Sequence, residues 1–379
     1  MPLGIYLTTM IGPGVPRPVS RELVEAIQSV EVTHTVEGRS GFQIVFKAGR
    51  GGRQDIQDYR LATNPLFEMY NRVILTVSVG PRAQVLMDGV ITNQQLSPSP
   101  QPGNTTLTVT GEDISVMMDL EEKSVEHTAQ DEATIARRIL AEYTASYGVI
   151  PTVVAPKLQD RPTQNQRIPT QQATDLQYLQ TIAERFAFQF YVTPGPAVGS
   201  NTAYWGPPQR QTVPQRALTV NMGSFTNVGS VSFQNDGMAA TTVDGSVQDR
   251  ETNRPVPVRE FRSDRPALTT EPALGNQSQR RVRQFRETGR TSAQALARAQ
   301  AITSRSTDEV VTVTGDLDSI RYGDLLKIRG LVGLRGVGLS YDGVYVVKSV
   351  SHTLSKGQYK QNFTITRDGL GSAQRGLAG

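Results

Sequence analysis

The sequence predicts a mainly β protein with α/β insertions. Segments rich in Thr and Val, with alternating polar and apolar residues, occupy both ends of the chain, as half-buried strands require. Gly and Pro are plentiful, 34 and 22 among 379 residues, which is typical of short strands joined by many turns. Two amphipathic helical segments, separated by a Pro-rich connector, lie between the β-rich regions. At this length we expect more than one domain.

The first 110 residues are predicted to contain five or six strands. Residues 1–20 are interpreted as an arm or a loosely held strand, and 97–104 as a loop. Strands are predicted at 24–36, 41–49, 71–80, 83–98 and 105–113. Within 41–49, Phe42, Ile44 and Phe46 recur at every second position, and Asp88-Gly89 has the composition of a hairpin turn. This number of strands is enough for a small barrel or sandwich.

A two-helix segment follows, within residues 111–216. The apolar positions repeat at helical spacing in two runs: Ile135, Ile139, Leu140 and Tyr143, then Leu176, Leu179, Ile182, Ala183 and Phe186. Gly148 suits the left-handed position that ends the first helix. Thr174 and Gln177 have the spacing of a capping box at the start of the second helix. Residues 193–214 are predicted to form a loop-rich hairpin.

The C-terminal half is predicted to be β again, with an interruption. Residues 251–290 are rich in Pro, Arg and Gln and are expected to be extended. A capped helix is predicted at 291–306, with Thr291 and Gln294 as its capping box. Strands are predicted on both sides of this interruption, at 216–225, 227–236, 240–249, 309–316, 322–330, 343–355 and 361–369.

Composition excludes several classes of function. The net charge of +4, from 39 basic and 35 acidic residues, is too small to indicate a dedicated nucleic-acid or membrane surface. Without cysteine the chain has no disulfide, thiolate metal site or Cys nucleophile. We see no apolar run long enough to span a membrane and no secretory leader, so we expect the chain to fold in the cytosol.

No catalytic constellation is recognisable, and we expect no catalytic, cofactor-binding or metal-binding residues. His34, His127 and His352 are scattered and lack metal-ligand spacing, so each is interpreted as a surface or strand residue. The Gly-rich run 330–338 resembles a phosphate cradle, but strands are predicted on both sides of it. We therefore interpret it as a flexible hairpin tip.

Two groups of residues are candidates for binding. An arginine cluster consists of Arg280, Arg281, Arg283, Arg286 and Arg290. It fits a protein or nucleic-acid contact, or else a solvated face on an exposed segment. Trp205, Tyr204 and Tyr191 fit a sugar-binding platform, or else core and loop packing.

One internal repeat is visible. LTVTGED at 107–113 resembles VTVTGDLD at 311–318, and each copy is interpreted as the end of a β group. A match of seven residues in a Thr/Val-rich chain carries little weight alone, but it fits two related β domains in one chain.

Three motifs, in this order, resemble the phage late-control protein D family, the baseplate hub proteins of contractile tails. The first is GEDISVMMDL followed by TIARRILAEYTASYGV. The second places Gln171 or Gln172, Thr174, Asp175, Leu179, Ala183 and Arg185 before the strand FQFYV. The third is YGDLLKIRG, then DGVYVVKSVSHTL and FTITRDG. The sequence is similar also to the N-terminal hub half of the VgrG-type spike proteins of type VI secretion.

The resemblance implies two tandem small β-barrels with a two-helix domain and a second insertion. Its boundaries here would be 1–110 for the first barrel, 111–216 for the two-helix domain, and 217–250 with 307–368 for the second barrel. Residues 251–306 would be the insertion and 369–379 a flexible tail. The sequence departs from VgrG-type proteins in ending soon after FTITRDGL. The spike would therefore be a separate chain, and no lysozyme activity is implied.

The implied function is structural. A homotrimeric ring would adapt the hexameric tail tube to the trimeric spike, and its partners would be tube, spike and baseplate proteins. No small-molecule substrate, nucleic acid or membrane insertion is expected. The particle, assembled in the bacterial cytoplasm, is either a phage tail or a cellular injection device. The alternative function is a β-rich glycan- or receptor-binding module of a phage-like particle.

Overall fold

The computed structural model describes residues 5–49, 59–80, 82–101, 104–157 and 168–372. Strands predominate in this part of the chain, in agreement with the predicted class. None of its helices is both long and apolar enough to cross a membrane.

The first β group contains seven strands and one short helix. They are β1 (Ile5–Gly12), β2 (Arg17–Pro18), α1 (Arg21–Ala26), β3 (Ile27–Thr35), β4 (Gly41–Lys47), β5 (Arg72–Val79), β6 (Arg82–Ser97) and β7 (Thr106–Asp113). The strands pair antiparallel in the order β3-β4-β7-β6-β5-β1-β2. Phe42, Ile44 and Phe46 of β4 are buried, as their alternation predicts.

The structure decides one prediction for this region and overturns another. Of the two interpretations of the N-terminal residues, arm or loosely held strand, residues 5–12 form a strand, and β1 pairs with β5 over all eight of its residues. Asp88-Gly89 is not a hairpin turn but lies in the middle of β6, where Asp88 pairs with Ile74. Glycine is required at 89 because a Cβ there would collide with the carbonyl oxygen of Glu112 on β7.

The two-helix segment follows the predicted pattern. Its elements are β8 (Glu122–Glu126), α2 (Glu132–Glu142), α3 (Thr144–Tyr147), β9 (Val149–Val153), β10 (Thr170–Thr174), α4 (Asp175–Glu184), β11 (Gln189–Pro194) and β12 (Asn201–Gly206). Gly148 ends α3 in the left-handed conformation, as predicted. Thr174 caps α4, but the side chain of Gln177 hydrogen-bonds Asp119 and does not complete the capping box.

The remaining elements alternate between a second β group and an inserted sheet. They are β13 (Gln215–Thr219), β14 (Val228–Asn235), β15 (Thr241–Gln248), β16 (Pro255–Glu260), β17 (Glu271–Pro272), α5 (Ala273–Asn276), β18 (Arg281–Phe285), α6 (Ser292–Ser306), β19 (Val311–Asp318), α7 (Ser319–Tyr322), β20 (Leu331–Arg335), β21 (Gly343–Ser355), β22 (Gln358–Arg367) and β23 (Gly369–Leu370). The predicted capping box of Thr291 and Gln294 is present in full at α6.

The inserted sheet has the order β16-β15-β18 and packs against α6. Sequence reasoning grouped 241–250 with the second β group, whereas hydrogen bonding pairs β15 with β16 and β18. The run 369–379 was expected to be a flexible tail, yet its first two residues, β23, pair with β17. Residues 373–379 lie outside the described part of the chain.

The second β group joins the first in one continuous sheet. Its strands run β14-β19-β22-β21, and β21 pairs antiparallel with β3 of the first group; β20 and β13 branch from β21. The described pairings give this strand path, while closure of each group into a separate barrel stays a prediction.

The two β groups are equivalent around the β3–β21 pair. In the first, Val32 pairs with Phe42 and Phe42 with Gly111. In the second, Val350 pairs with Phe363 and Phe363 with Gly315. Side chains are excluded at both glycines, because a Cβ would collide with the paired Phe ring and with a carbonyl oxygen on the next strand. The repeat seen in the sequence thus occupies matching strands, β7 and β19.

The same equivalence relates His34 to His352. His34 of β3 pairs with Val350 of β21, and His352 of β21 pairs with Val32 of β3. The two histidines therefore occupy equivalent positions in the two β groups. Their rings meet edge to face with centroids 5.8 Å apart. Burial and the charge of Arg329 lower the pKa of His34 to about 4, and burial beside His34 lowers the pKa of His352 well below its usual value.

A buried ion pair connects the first β group with the two-helix segment. Both Arg72–Asp88 hydrogen bonds are 2.7 Å long. Nη2 of Arg72 also donates to the carbonyl oxygens of Tyr147 (3.2 Å) and Gly199 (2.9 Å). Asn201 donates to Asp88 at 3.0 Å. Asp88, first interpreted as part of a turn, therefore helps to join the first β group to the two-helix segment.

Arg329, which precedes β20 of the second β group, contacts both the first β group and the two-helix segment. Its guanidinium lies 3.9 Å from the ring centroid of Tyr191 on β11 and donates to the carbonyl oxygen of Thr35 on β3. Burial lowers the pKa of Arg329 to about 10, against the opposing effect of Asp113. A cation held in this way fixes the mutual orientation of β3, β11 and the β20 region.

We predict that Arg72→Ala lowers the free energy of unfolding by about 3–5 kcal/mol, because it leaves the Asp88 carboxylate buried without its partner. Urea denaturation followed by circular dichroism measures the change. Arg21→Ala is the control, since Arg21 and Glu25 form an exposed pair worth about 0–1 kcal/mol. Equal losses in the two variants would contradict a structural role for the buried pair.

We also predict that stability falls as pH drops from about 6.5 toward 4. The folded-state pKa of His34 lies below its unfolded value, so the unfolded chain binds more protons in this window. Each such histidine contributes a slope of up to about 1.4 kcal/mol per pH unit. His34→Phe keeps a ring and removes the titration, so its unfolding free energy should depend less on pH than that of the unmodified chain. Identical pH profiles would refute the assignment.

Candidate interaction site

The predicted arginine cluster surrounds the edge strand of the inserted sheet. Arg281 and Arg283 lie on β18, which pairs only with β15 among the described strands. They share a strand face with Phe285, which packs in the core beneath α6. The other long edge of β18 therefore carries backbone N–H and C=O groups without strand partners.

A groove of about 860 Å³ runs between β18 and the C-terminal half of α6. Arg281, Arg283 and Arg286 line one side, and Arg298 and Arg305 of α6 line the other. Its apolar lining consists of Val243, Val282, Phe285, Ala301 and Ile302. The groove thus combines an apolar floor with cationic walls, which suits an acidic chain rather than a neutral ligand.

Two glutamates at the groove are already engaged. Glu287 forms ion pairs with Arg290 and Arg298, and Glu184 at the end of α4 lies 3.9 Å from Arg305. Burial alone would raise the pKa of Glu287, but the hydrogen bond from Arg298 and the neighbouring positive charges hold it below its usual value.

The remaining arginines are unpaired. Within the described ranges, Arg281, Arg283 and Arg286 have no carboxylate partner, and all three are exposed. The groove therefore keeps an excess of positive charge.

The structure brings together three of the five predicted arginines. Arg280 points back to the carbonyl oxygen of Gln277, and Arg290 serves Glu287, so neither lines the groove. Sequence reasoning missed Arg298 and Arg305, although their spacing of seven residues places them on one helix face. Whether any of these residues contacts a partner stays a prediction.

The aromatic residues proposed as a sugar platform are covered. Trp205 is fully buried, donates from Nε1 to the carbonyl oxygen of Leu179, and packs against Phe186 and Phe188. Tyr204 is buried, and Arg329 covers the ring of Tyr191. Core packing, the simpler of the two interpretations, is what the structure shows for these side chains.

The histidines pack against aromatic rings, and the Gly-rich run contains a strand. His127 is buried and stacks on Tyr178, while His352 accepts or donates a hydrogen bond with the hydroxyl of Tyr359. In the described part of the chain, no three acidic or imidazole side chains group as metal ligands. The Gly-rich run was expected to be a hairpin tip, but Leu331–Arg335 form β20; only the turn after it is a loop, and a strand follows.

Comparisons with known proteins identify the fold. No family model matches the sequence, and no curated protein matches it. Solved structures do match. A tail protein from Neisseria meningitidis has a TM-score of 0.64 at 14% identity, with 97% of this chain and 98% of that chain covered. The 43 kDa tail protein of prophage MuSo2 from Shewanella oneidensis has a TM-score of 0.63 at 12% identity, with 97% and 100% covered.

A third similar structure is a chain of the Francisella PdpA–VgrG complex. It has a TM-score of 0.55 at 7% identity, with 100% of this chain and 55% of that chain covered. The chain therefore has a phage-tail, baseplate-hub-like fold, which confirms the resemblance found in the motifs. At sequence identities of 7% to 14%, the structural similarity establishes the fold alone.

We predict that the only tryptophan reports a sealed core. Because Trp205 is buried and hydrogen-bonded, its emission should be blue-shifted and resistant to acrylamide quenching in the folded chain. In urea, the emission and the quenching should be those of a tryptophan exposed to water. Addition of glycans should leave the emission unchanged. A spectral shift on titration with a defined oligosaccharide, absent with buffer alone, would restore the sugar-platform interpretation.

Proposed function

We propose that this protein is the structural hub of a contractile tail or injection device, a homotrimeric ring that adapts the hexameric tail tube to a trimeric spike. Residues 1–110 and 217–250 with 307–368 would form its two tube-like barrels, with 111–216 and 251–306 as the accessory parts. The role involves no catalysis and no cofactor. Assembly would take place in the bacterial cytoplasm, with baseplate proteins, a separate spike chain and tube proteins as partners.

One observation carries the proposal: the two β groups of a single chain have matching strand pairings. Phe42 and Gly111 in one correspond to Phe363 and Gly315 in the other. Three chains with two equivalent units each would present six similar faces to a sixfold tube and keep threefold symmetry for a spike. Closed cyclic symmetry of this kind requires head-to-tail interfaces.

The structural comparisons support the same role. The two tail proteins are matched over nearly their whole length, so the likeness is not limited to one common sheet. The chain of the Francisella PdpA–VgrG complex is matched over about half of its length, which supports a part in an assembly that contains a VgrG spike.

We predict three copies of the chain in the assembled particle. The measurement is co-expression with the neighbouring tube and spike genes, followed by native mass spectrometry and symmetry-resolved electron microscopy. We expect a ring of three chains between tube and spike. A chain that stays monomeric at assembly concentrations and joins neither partner would refute the proposed function, and specific glycan binding in its place would favour a receptor-binding module.

A further inference from the structure

An acidic strand lies on the same chain as the basic groove. Glu122, Ser124 and Glu126 of β8 are exposed and share one strand face, because side chains alternate along a strand. In the described chain β8 pairs only with β10, and neither glutamate forms an ion pair there. As far as the described residues show, β8 thus offers a free backbone edge with two unpaired carboxylates.

The acidic strand and the basic groove lie at opposite ends of α4. β10 pairs with β8 and runs directly into the first residue of α4, Asp175, whereas Glu184 at the last turn borders the groove. A helix of ten residues is about 15 Å long. A chain therefore presents the two complementary edges in different places, the arrangement that a head-to-tail contact between copies needs.

We infer that β8 of one copy docks on the free edge of β18 in the neighbouring copy, with Glu122 and Glu126 facing the arginines of the groove. This inference rests on the proposed ring. The occupant is a second copy because the complementary acidic edge is present on the chain itself. Hydrogen bonds between the two backbones would give the contact its direction, and the charges would select its register.

A specific register follows from strand geometry. When Ser124 lies opposite Arg281 in an antiparallel pair, Glu122 lies opposite Arg283. Glu126 is then one diagonal position from Arg281, roughly 7–8 Å away, within reach of a long side chain. Both unpaired arginines of β18 would thereby gain a carboxylate partner.

Charge reversal tests the contact. Arg281→Glu with Arg283→Glu, or Glu122→Arg with Glu126→Arg, should each weaken self-association about tenfold or more through repulsion of like charges. Mixing the two double variants should restore association between unlike chains. The measurement is sedimentation velocity over a concentration series, with folding checked by circular dichroism and Trp205 emission. Arg254→Glu, a change at an exposed residue just before β16 and away from the groove, is the control and should have little effect.

Crosslinking provides an independent test because the natural chain contains no cysteine. Ser124→Cys and Arg281→Cys, which lie opposite each other in this register and leave Glu122 opposite Arg283, are placed in separate chains. The two chains are then mixed and treated with a short thiol-reactive crosslinker. We expect covalent dimers in the mixture and none from either variant alone. A chain that carries both substitutions should give a crosslinked closed ring.

The outcomes separate this inference from the proposed function. If the unmodified chain forms trimers and the charge-reversed chains do so equally well, the inference is wrong and the hub role stands. If the groove binds an acidic segment of another baseplate protein and never β8, the inference is also wrong. A chain that never forms trimers would remove both the inference and the proposed function.

Discussion

The backbone ladder between β3 and β21 is the interaction on which the rest of the structure depends. Seven residue pairs, from Ser29 with Ser355 to Thr35 with Ser349, join strands that are more than 300 positions apart in sequence. Without this ladder each β group would expose a long strand edge that is prone to pairing with other chains. Because the two edges satisfy each other, both groups share one sheet, and the histidine pair and Arg329 lie where the groups meet.

Buried polar networks then fix how the remaining regions are arranged. Apolar contact alone tolerates sliding, whereas a bidentate Arg72–Asp88 pair that also reaches two carbonyl oxygens permits one geometry. On the other side of the two-helix segment, Arg265 donates to the carbonyl oxygen of Ala187 and pairs with Asp308, which also binds Arg210. Desolvation of these charges offsets much of their attraction, so their main contribution is orientation rather than stability.

Structural features that depend on neighbouring residues could be predicted from the sequence. The alternation in β4, the end of α3 at Gly148 and the capping box of α6 depend on residues within a few positions of one another. Asp88-Gly89 could not be assigned in this way, because the need for glycine comes from β7 and the partner of Asp88, Arg72, comes from β5. The groove itself was not predicted. Its arginines at 281, 283 and 286 belong to the cluster that is visible in the sequence, while Arg298 and Arg305 join them only when α6 packs on the sheet.

The internal repeat explains how a fold can persist when sequence similarity is nearly lost. Gly111 and Gly315 are each enclosed by a Phe ring on one strand and a carbonyl oxygen on the other, so no side chain fits. Other positions of β7 and β19 need only an apolar or a polar residue on the correct face, a condition that many sequences meet. The equivalent strands even differ in chain order, since β7 follows β4 whereas β19 precedes β22. The two β groups therefore need to share only the positions where neighbouring strands come too close for a side chain. This explains why a repeat of only seven residues marks two equivalent β groups.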